Sequence, residues 1–219
     1  MKKLLALFPL IAVAVGCNSA DSSSSSVSLK GELKDAYKTA DAPPTKAPTL
    51  GPPKDGEDVA VVSTKFGNIV FKFRPDMAPK HVENFKTLAN KGFYDKTIFH
   101  RIIPDFMIQG GDPNTKDLAK TATYGQGDPG YKVKAEFNAI DHKRGVVSMA
   151  RGNDVDSAGS QFFVVTKDHP DLNNKYTAFG EVVTGIDVAA KIVAQPRNNN
   201  DLPNERIEMT VKIAKWPVK

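Results

Sequence analysis

From Glu57 to Lys219 the apolar residues fall into short runs that recur at every second position, separated by glycine-rich turns, and few architectures accept such a pattern. Ile69, Phe71 and Phe73 alternate with polar or exposed neighbours, and Ile207, Met209, Val211 and Ile213 do the same near the C-terminus. This is how a strand reads when one face is buried and the other is wet. Segments of this kind can be marked at 59–64, 69–73, 97–102, 106–111, 144–149, 161–166, 177–183 and 207–214.

Two further segments carry one apolar stripe at helical spacing. In the first, Pro79 occupies a first-turn position, Val82, Phe85, Leu88 and Ala89 share a face, and Gly92 stands where a helix stops. The second is expected to open on Thr184 as N-cap with Asp187 three residues on, to run through Ile186, Ala189, Ala190 and Val193, and to end before Pro196. Eight strands and two amphipathic helices fit a mainly β fold, a closed eight-stranded antiparallel barrel filled by side chains and capped by the helices. Periodicity alone does not distinguish that barrel from an α+β sandwich.

The beginning of the chain is different in kind. Lys2 and Lys3 precede an apolar run from Leu4 to Val15, too short to span a bilayer and flanked like an export signal, so residues 1–16 are set outside the fold. Cys17, the only cysteine, follows in Ala14-Val15-Gly16-Cys17, and no disulfide can form within one chain. Small residues ending in cysteine resemble the lipobox of bacterial lipoproteins, in which cleavage falls before the cysteine and its thiol carries a lipid. Ala14 departs from the commoner leucine, and cleavage after Ala12-Val13-Ala14 with a free Cys17 thiol is the competing reading. The lipoprotein reading is preferred because a solitary exported cysteine there has no other evident use; it implies a lipid anchor at a bacterial membrane, facing the periplasm or the cell exterior.

Residues 17–56 hold a serine run at Ser22 to Ser26, prolines at 43, 44, 48, 52 and 53, and few large apolar side chains. Such a stretch cannot bury enough surface to offset its ordering entropy, and a flexible tether is expected. The formal charge of +5 is spread among acids without a basic block, which argues against a nucleic-acid partner.

Residues Phe99 to Asp112 read FHRIIPDFMIQGGD. With VENFKTLANKGFYD at 82–95, HKRGVVSMA at 142–150, GSQFF at 159–163 and FGEV at 179–182, they resemble the cyclophilin-type peptidyl-prolyl isomerases over nearly all of residues 59–215. Ordered blocks of this length are far more specific than any single motif. The resemblance implies a cyclophilin-like barrel that isomerises X-Pro bonds in proline-containing segments; with the N-terminal signal the expected clients are exported proteins, and no cofactor, no metal and a monomeric domain are expected.

Isomerisation makes and cuts no bond. The barrier of roughly 18–20 kcal/mol arises because amide resonance is lost in the twisted state, and lowering it by about 7 kcal/mol accelerates the rotation roughly 10⁵-fold. A pocket for the proline ring and a donor aimed at the twisted amide are sufficient tools. By resemblance the donor is Arg101, whose guanidinium is always charged and presents a rigid fork of N–H groups. Phe106, Met107, Phe163 and Leu172 match the apolar proline-binding positions, Gln109 the glutamine that bonds the substrate backbone, and Gln161 a second polar position. On pattern alone Arg101 also fits a surface ion pair, and the apolar residues fit core packing.

Three positions depart from the family pattern. Asp171 stands where eukaryotic members commonly have a tryptophan that contacts cyclosporin, Tyr176 stands where many have histidine, and Arg151 follows Ala150 where asparagine is usual. Ala150 and Arg151 are expected to line the groove, with Arg151 as a second cation there. Tyr176 is expected to close the pocket. Segment 113–131, with Gly125, Gly127 and Gly130, is expected to be a loop rimming the site. His81, His100, His142 and His169 show no metal-ligand spacing, His100 reads as an orienting or core histidine, and no G-x-S-x-G elbow accompanies Ser160. The alternative to an enzyme is a binding module that grips proline segments without turnover; the retained Arg101 argues against it, since binding alone needs only the pocket.

Overall fold

The computed structural model describes residues 51–218. The expected signal segment, Cys17 and the first part of the expected tether lie outside the described residues.

Strands β1 (Asp58–Thr64) and β2 (Gly67–Phe73) form a hairpin, followed by helix α1 (Pro79–Asn90), β3 (Thr97–Ile103) and β4 (Met107–Gly110). Two 3-10 segments, Pro113–Lys116 and the kinked Leu118–Thr123, lead through a long irregular stretch to β5 (Val146–Met149) and β6 (Phe162–Val165). A third turn at Pro170–Leu172, β7 (Ala178–Thr184), α2 (Ile186–Val193) and β8 (Glu208–Lys215) complete the chain. Around the closed barrel the order is β1-β2-β7-β5-β6-β4-β3-β8, and every pairing is antiparallel. The expected barrel is thus the architecture, and closure leaves no unpaired sheet edge.

The alternation in the sequence sorts the side chains. Ile69, Phe71, Phe73, Ile102, Ile108, Phe162, Val164 and Phe179 turn inward and join Val82, Phe85, Leu88 and Ala89 of α1 in one buried cluster. Helix α1 plugs the barrel with Phe85, whose ring packs against those of Phe71, Tyr94, Phe162 and Phe179 at centroid distances of 5.3, 4.9, 5.3 and 5.4 Å. Pro79 opens α1 as expected, and Gly92 takes φ +65° just past its end, donating its N–H to Ala89 O.

The start of the second helix differs from the expectation. Thr184 is the last residue of β7, the N-cap is Gly185 at φ +84°, and no side chain caps the helix. A Cβ on Gly185 would collide with the Asn68 carbonyl, so the chain needs a residue without one at this corner, and the threonine is displaced into the strand.

One irregularity in β3 decides where the chemistry sits. Strict alternation would put Arg101 on the same face as Phe99, inside the barrel. A register shift against β4 between Phe99 and Arg101 breaks the alternation. Phe99 and Ile102 both point into the core, while the Arg101 side chain emerges on the outer face, 46% exposed.

Candidate active site

The outer face of β4, β6 and β5 carries a second apolar cluster, separate from the barrel interior. Met107, Phe163, Leu172, Val165 and Ala178 are buried in it, and Phe106, Ala150 and Tyr176 pack at its edge. Pairing sets Arg101 opposite Gln109, Gln109 opposite Phe163, and Phe163 opposite Ser148, so these residues form one row across four strands. Adjacent strands are about 4.8 Å apart, which places Arg101 roughly 10 Å from Phe163 at the backbone. A proline ring seated on Phe163 therefore has its amide within reach of the guanidinium.

Each wall of the apolar site has its own support. Phe106 lies against the His169 ring, centroids 4.4 Å apart, and His169 Nε2 lies 2.8 Å from Asp105 O. This ties the β3–β4 turn, where Asp105 takes φ +59°, to the Pro170–Leu172 turn that carries Leu172. Tyr176 meets Phe163 edge-on at 5.7 Å. Asp171 is exposed and paired with His169 at 3.2 Å, which holds its carboxyl below the usual carboxylate range.

The polar side of the row is built from two glutamines. Gln109 Nε2 donates to Gln161 Oε1 at 3.0 Å, and Gln161 Nε2 donates to Gly125 O and Gly127 O, each at 2.9 Å. Gln161 thus braces Gln109 and the glycine loop. The loop does rim the site: Gly125 to Asp128 line a cavity of about 260 Å³ together with Gln109, Gln161 and Arg151.

Asp112 holds that loop in place. It is fully buried; its Oδ1 accepts the Asn114 N–H at 2.7 Å and its Oδ2 accepts the Gly125 N–H at 2.5 Å. Gly127 comes so near the same carboxylate that a Cβ there would collide with it. The sequence placed Asp112 at the end of the motif without revealing this role.

Asp201 was missed altogether. It lies in the connection between α2 and β8, adopts φ +61°, and accepts the Ile102 N–H on its main-chain oxygen at 2.9 Å. Its carboxylate stands 3.8 Å from Arg101 Nε and 3.1 Å from Arg197 Nε. A long, partly exposed pair of this kind is weak and orients the guanidinium without consuming its donors. The only sequence signal was the Asn-Asn-Asn-Asp turn, a hundred residues from Arg101 and uninformative on its own.

His100, beside Arg101, is buried and neutral. Burial pushes its imidazole down to about 4, against a smaller opposing pull from Asp112, and among the described residues neither ring nitrogen has a hydrogen-bond partner. It supports the loop, with its Nε2 at 3.8 Å from where a Gly125 Cβ would stand, and it has no access to a substrate. Burial likewise lowers His81 and His142, although His81 Nδ1 lies 2.6 Å from Glu136.

These three histidines carry a pH signature. Each binds its proton less tightly folded than unfolded, so the unfolded chain takes up protons first as pH falls below about 6.5. Stability is then complete above that pH and declines toward pH 4, by about 1.4 kcal/mol per pH unit for each proton taken up on unfolding. The lowered carboxylates Asp58 and Asp76 act below this window. Urea unfolding should give a clearly lower midpoint at pH 5 than at pH 7, and equal midpoints would contradict the assignment.

The outer face thus sets an arginine, a glutamine and an apolar cluster in one row. The family model described as cyclophilin type peptidyl-prolyl cis-trans isomerase/CLD matches residues 59–218. The chain belongs to this family. Peptidyl-prolyl cis-trans isomerase B of Bacillus subtilis is 41% identical over 143 residues, covering 64% of this chain and 90% of that protein. An isomerase of Schizosaccharomyces pombe is 36% identical over 155 residues, covering 70% and 96%. Among solved structures, a cyclophilin-type isomerase of Cryptosporidium parvum, crystallised in the presence of the dipeptide Ala-Pro, superposes with a TM-score of 0.65 at 29% identity and covers 72% of this chain and 99% of that one. The enzyme class read from the sequence is thereby established.

Asp171 bears on inhibition. Where the drug-sensitive pattern has an indole, this protein offers an exposed carboxylate paired with His169. Cyclosporin is expected to inhibit the purified domain only weakly, in a titration of isomerase activity. Sub-micromolar inhibition would refute this.

Proposed function

We propose that the Arg101–Gln109–Phe163 row is the catalytic face, and that it accelerates rotation about X-Pro bonds in exported proteins while the chain is held at a membrane through Cys17. The supporting observation is the shift in β3 that turns Arg101 out of the core and into line with the apolar pocket. The proline ring sits among Phe106, Met107, Phe163 and Leu172 with Tyr176 at the rim; Gln109 holds the peptide backbone. Arg101 donates toward the prolyl amide as its nitrogen becomes pyramidal. This is preorganised electrostatic stabilisation, without a nucleophile, a metal or a general base. Excluding water from the apolar side strengthens that interaction in the twisted state.

A protease-coupled assay on an X-Pro peptide tests the enzyme reading, and an Ala-Pro peptide is a natural choice given the ligand named for the Cryptosporidium protein. Turnover at the uncatalysed rate, with peptide still bound, would leave a proline-binding module instead. The anchor rests on the resemblance of Ala14-Val15-Gly16-Cys17 to a lipobox, and the domain is taken to act as a monomer. Mass spectrometry of the mature N-terminus decides the first point: a lipid on Cys17 supports it, and an unmodified Cys17 or a start at Val15 defeats it.

A further inference from the structure

Arg151 was expected to act as a second cation facing the groove. The structure gives it a different engagement. Its Nε and Nη2 donate to Lys175 O at 3.2 and 3.1 Å, and its Nη1 donates to Gly152 O at 2.9 Å. All three guanidinium nitrogens are therefore held by main-chain carbonyls. The guanidinium carbon lies 4.8 Å from the centroid of the Tyr176 ring, within the range of a cation–π contact, and 6.0 Å from that of Phe137.

The segment it grips is held on both flanks, where Asn173 Oδ1 accepts the His142 N–H at 2.8 Å and Thr177 Oγ1 accepts the Glu136 N–H at 3.0 Å, which leaves the Tyr176 side chain between them. Between the Pro170–Leu172 turn and β7 the chain passes through Asn174 at φ +59° and forms no ladder until Ala178. The Lys175 N–H donates to Leu172 O, and Thr177 O accepts from Met149 N, but Tyr176 itself is located by its ring, between Phe163 on one side and Arg151 on the other. Arg151 stands two residues past the end of β5, so it links a strand end to an irregular segment that carries one wall of the pocket.

We infer that Arg151 is a positioning residue, which clamps Lys175 and Tyr176 against Phe163 and so sets the width of the proline pocket. This rests on the reading of the Phe163–Tyr176 cleft as that pocket. Acting through Tyr176, Arg151 governs how well the proline ring is held; the donor that favours the twisted amide is elsewhere. Its removal should weaken substrate binding and leave the bound-state rate nearly unchanged. Lysine at this position keeps the charge but loses the fork that bonds Lys175 O and Gly152 O together, so it should restore binding only in part.

The test is a double-mutant cycle in the full domain with Arg151→Ala, Arg151→Lys, Tyr176→Leu and the Arg151→Ala/Tyr176→Leu pair. The expected result is a rise in KM of about three- to tenfold for Arg151→Ala with kcat within about twofold, a smaller rise for Arg151→Lys, and a double variant no worse than Tyr176→Leu alone. The affinity of an Ala-Pro peptide, followed by the aromatic NMR signals of Phe163 and Tyr176, should fall in parallel without reference to turnover. Peptides with Glu or Lys before the proline separate the clamp from a charge reader. If Arg151→Ala changes their rate ratio tenfold while Tyr176→Leu does not, Arg151 reads substrate charge and the clamp is wrong. Losses that multiply in the double variant, or an effect confined to kcat, also overturn it. A failure of the pocket reading itself looks different: the Ala-Pro peptide would leave the Phe163 signals unmoved in the wild type.

Discussion

Arg101→Ala should lower kcat/KM for an X-Pro peptide by roughly 10²- to 10³-fold, the loss usual when a preorganised donor is removed from a developing charge. In the ground state the prolyl nitrogen shares its lone pair with the carbonyl and is a poor acceptor. Twisting the amide localises that pair, so a donor fixed nearby binds the twisted state better than either planar isomer, and only such a difference accelerates the reaction. The Arg101 guanidinium is partly exposed and its ion pair among the described residues, with Asp201, is long, so alanine there leaves no buried charge unpaired and the fold should stand. Far-ultraviolet circular dichroism and the thermal midpoint should match the wild type. Most of the loss should fall on kcat, with peptide affinity largely kept, because the pocket that grips the proline ring is untouched. A variant that retains wild-type turnover would remove Arg101 from the mechanism.

Phe85→Ala should act on the other property. Phe85 is fully buried at the point where α1 enters the barrel, and its ring touches aromatic rings from β2, β6, β7 and the turn after α1. Truncating it removes the lost transfer energy and leaves a cavity among rigid rings that cannot collapse. A cost of about 3–5 kcal/mol is expected. Domains of this kind are stable by only about 5–15 kcal/mol, so the urea midpoint should fall by a large fraction. Because this cluster is distinct from the apolar cluster of the outer face, the surviving folded molecules should isomerise at nearly the normal rate. A loss below about 1 kcal/mol would mean that α1 is not anchored as described.

The fold was legible wherever a local pattern reports burial. Alternation in Ile69–Phe73 and Ile207–Val211 gave the strands and their inward faces, and Pro79 with Gly92 bounded the first helix. What could not be read was long-range. Strand β8 closes the ring between β1 and β3, a pairing that no local window contains. Thr184 looked like a cap because Thr followed by Asp fits one; the collision a side chain at Gly185 would have with Asn68 lies on another strand and leaves no local mark.

The site shows the same division. The pocket residues were identified by family resemblance, and the structure gathers Phe106, Met107, Phe163, Leu172 and Tyr176 into one cluster. The reason Arg101 can join them is a shift in β3, where simple alternation predicts the wrong face. Gln161 and Arg151 line the cavity beside Gln109, and their bonds to Gly125, Gly127, Lys175 and Gly152 are contacts that no local window of sequence reveals. Asp201 and the loop held by Asp112 depend on chain crossings that appear only once the barrel is closed.

The circular strand order also has a steric outcome. The described chain enters the barrel through Gly51–Glu57 into β1, and β6, which carries Phe163, stands diametrically across the ring from β1. The face that carries the Arg101–Gln109–Phe163 row is therefore on the opposite side of the ring from the strand at which the described chain enters.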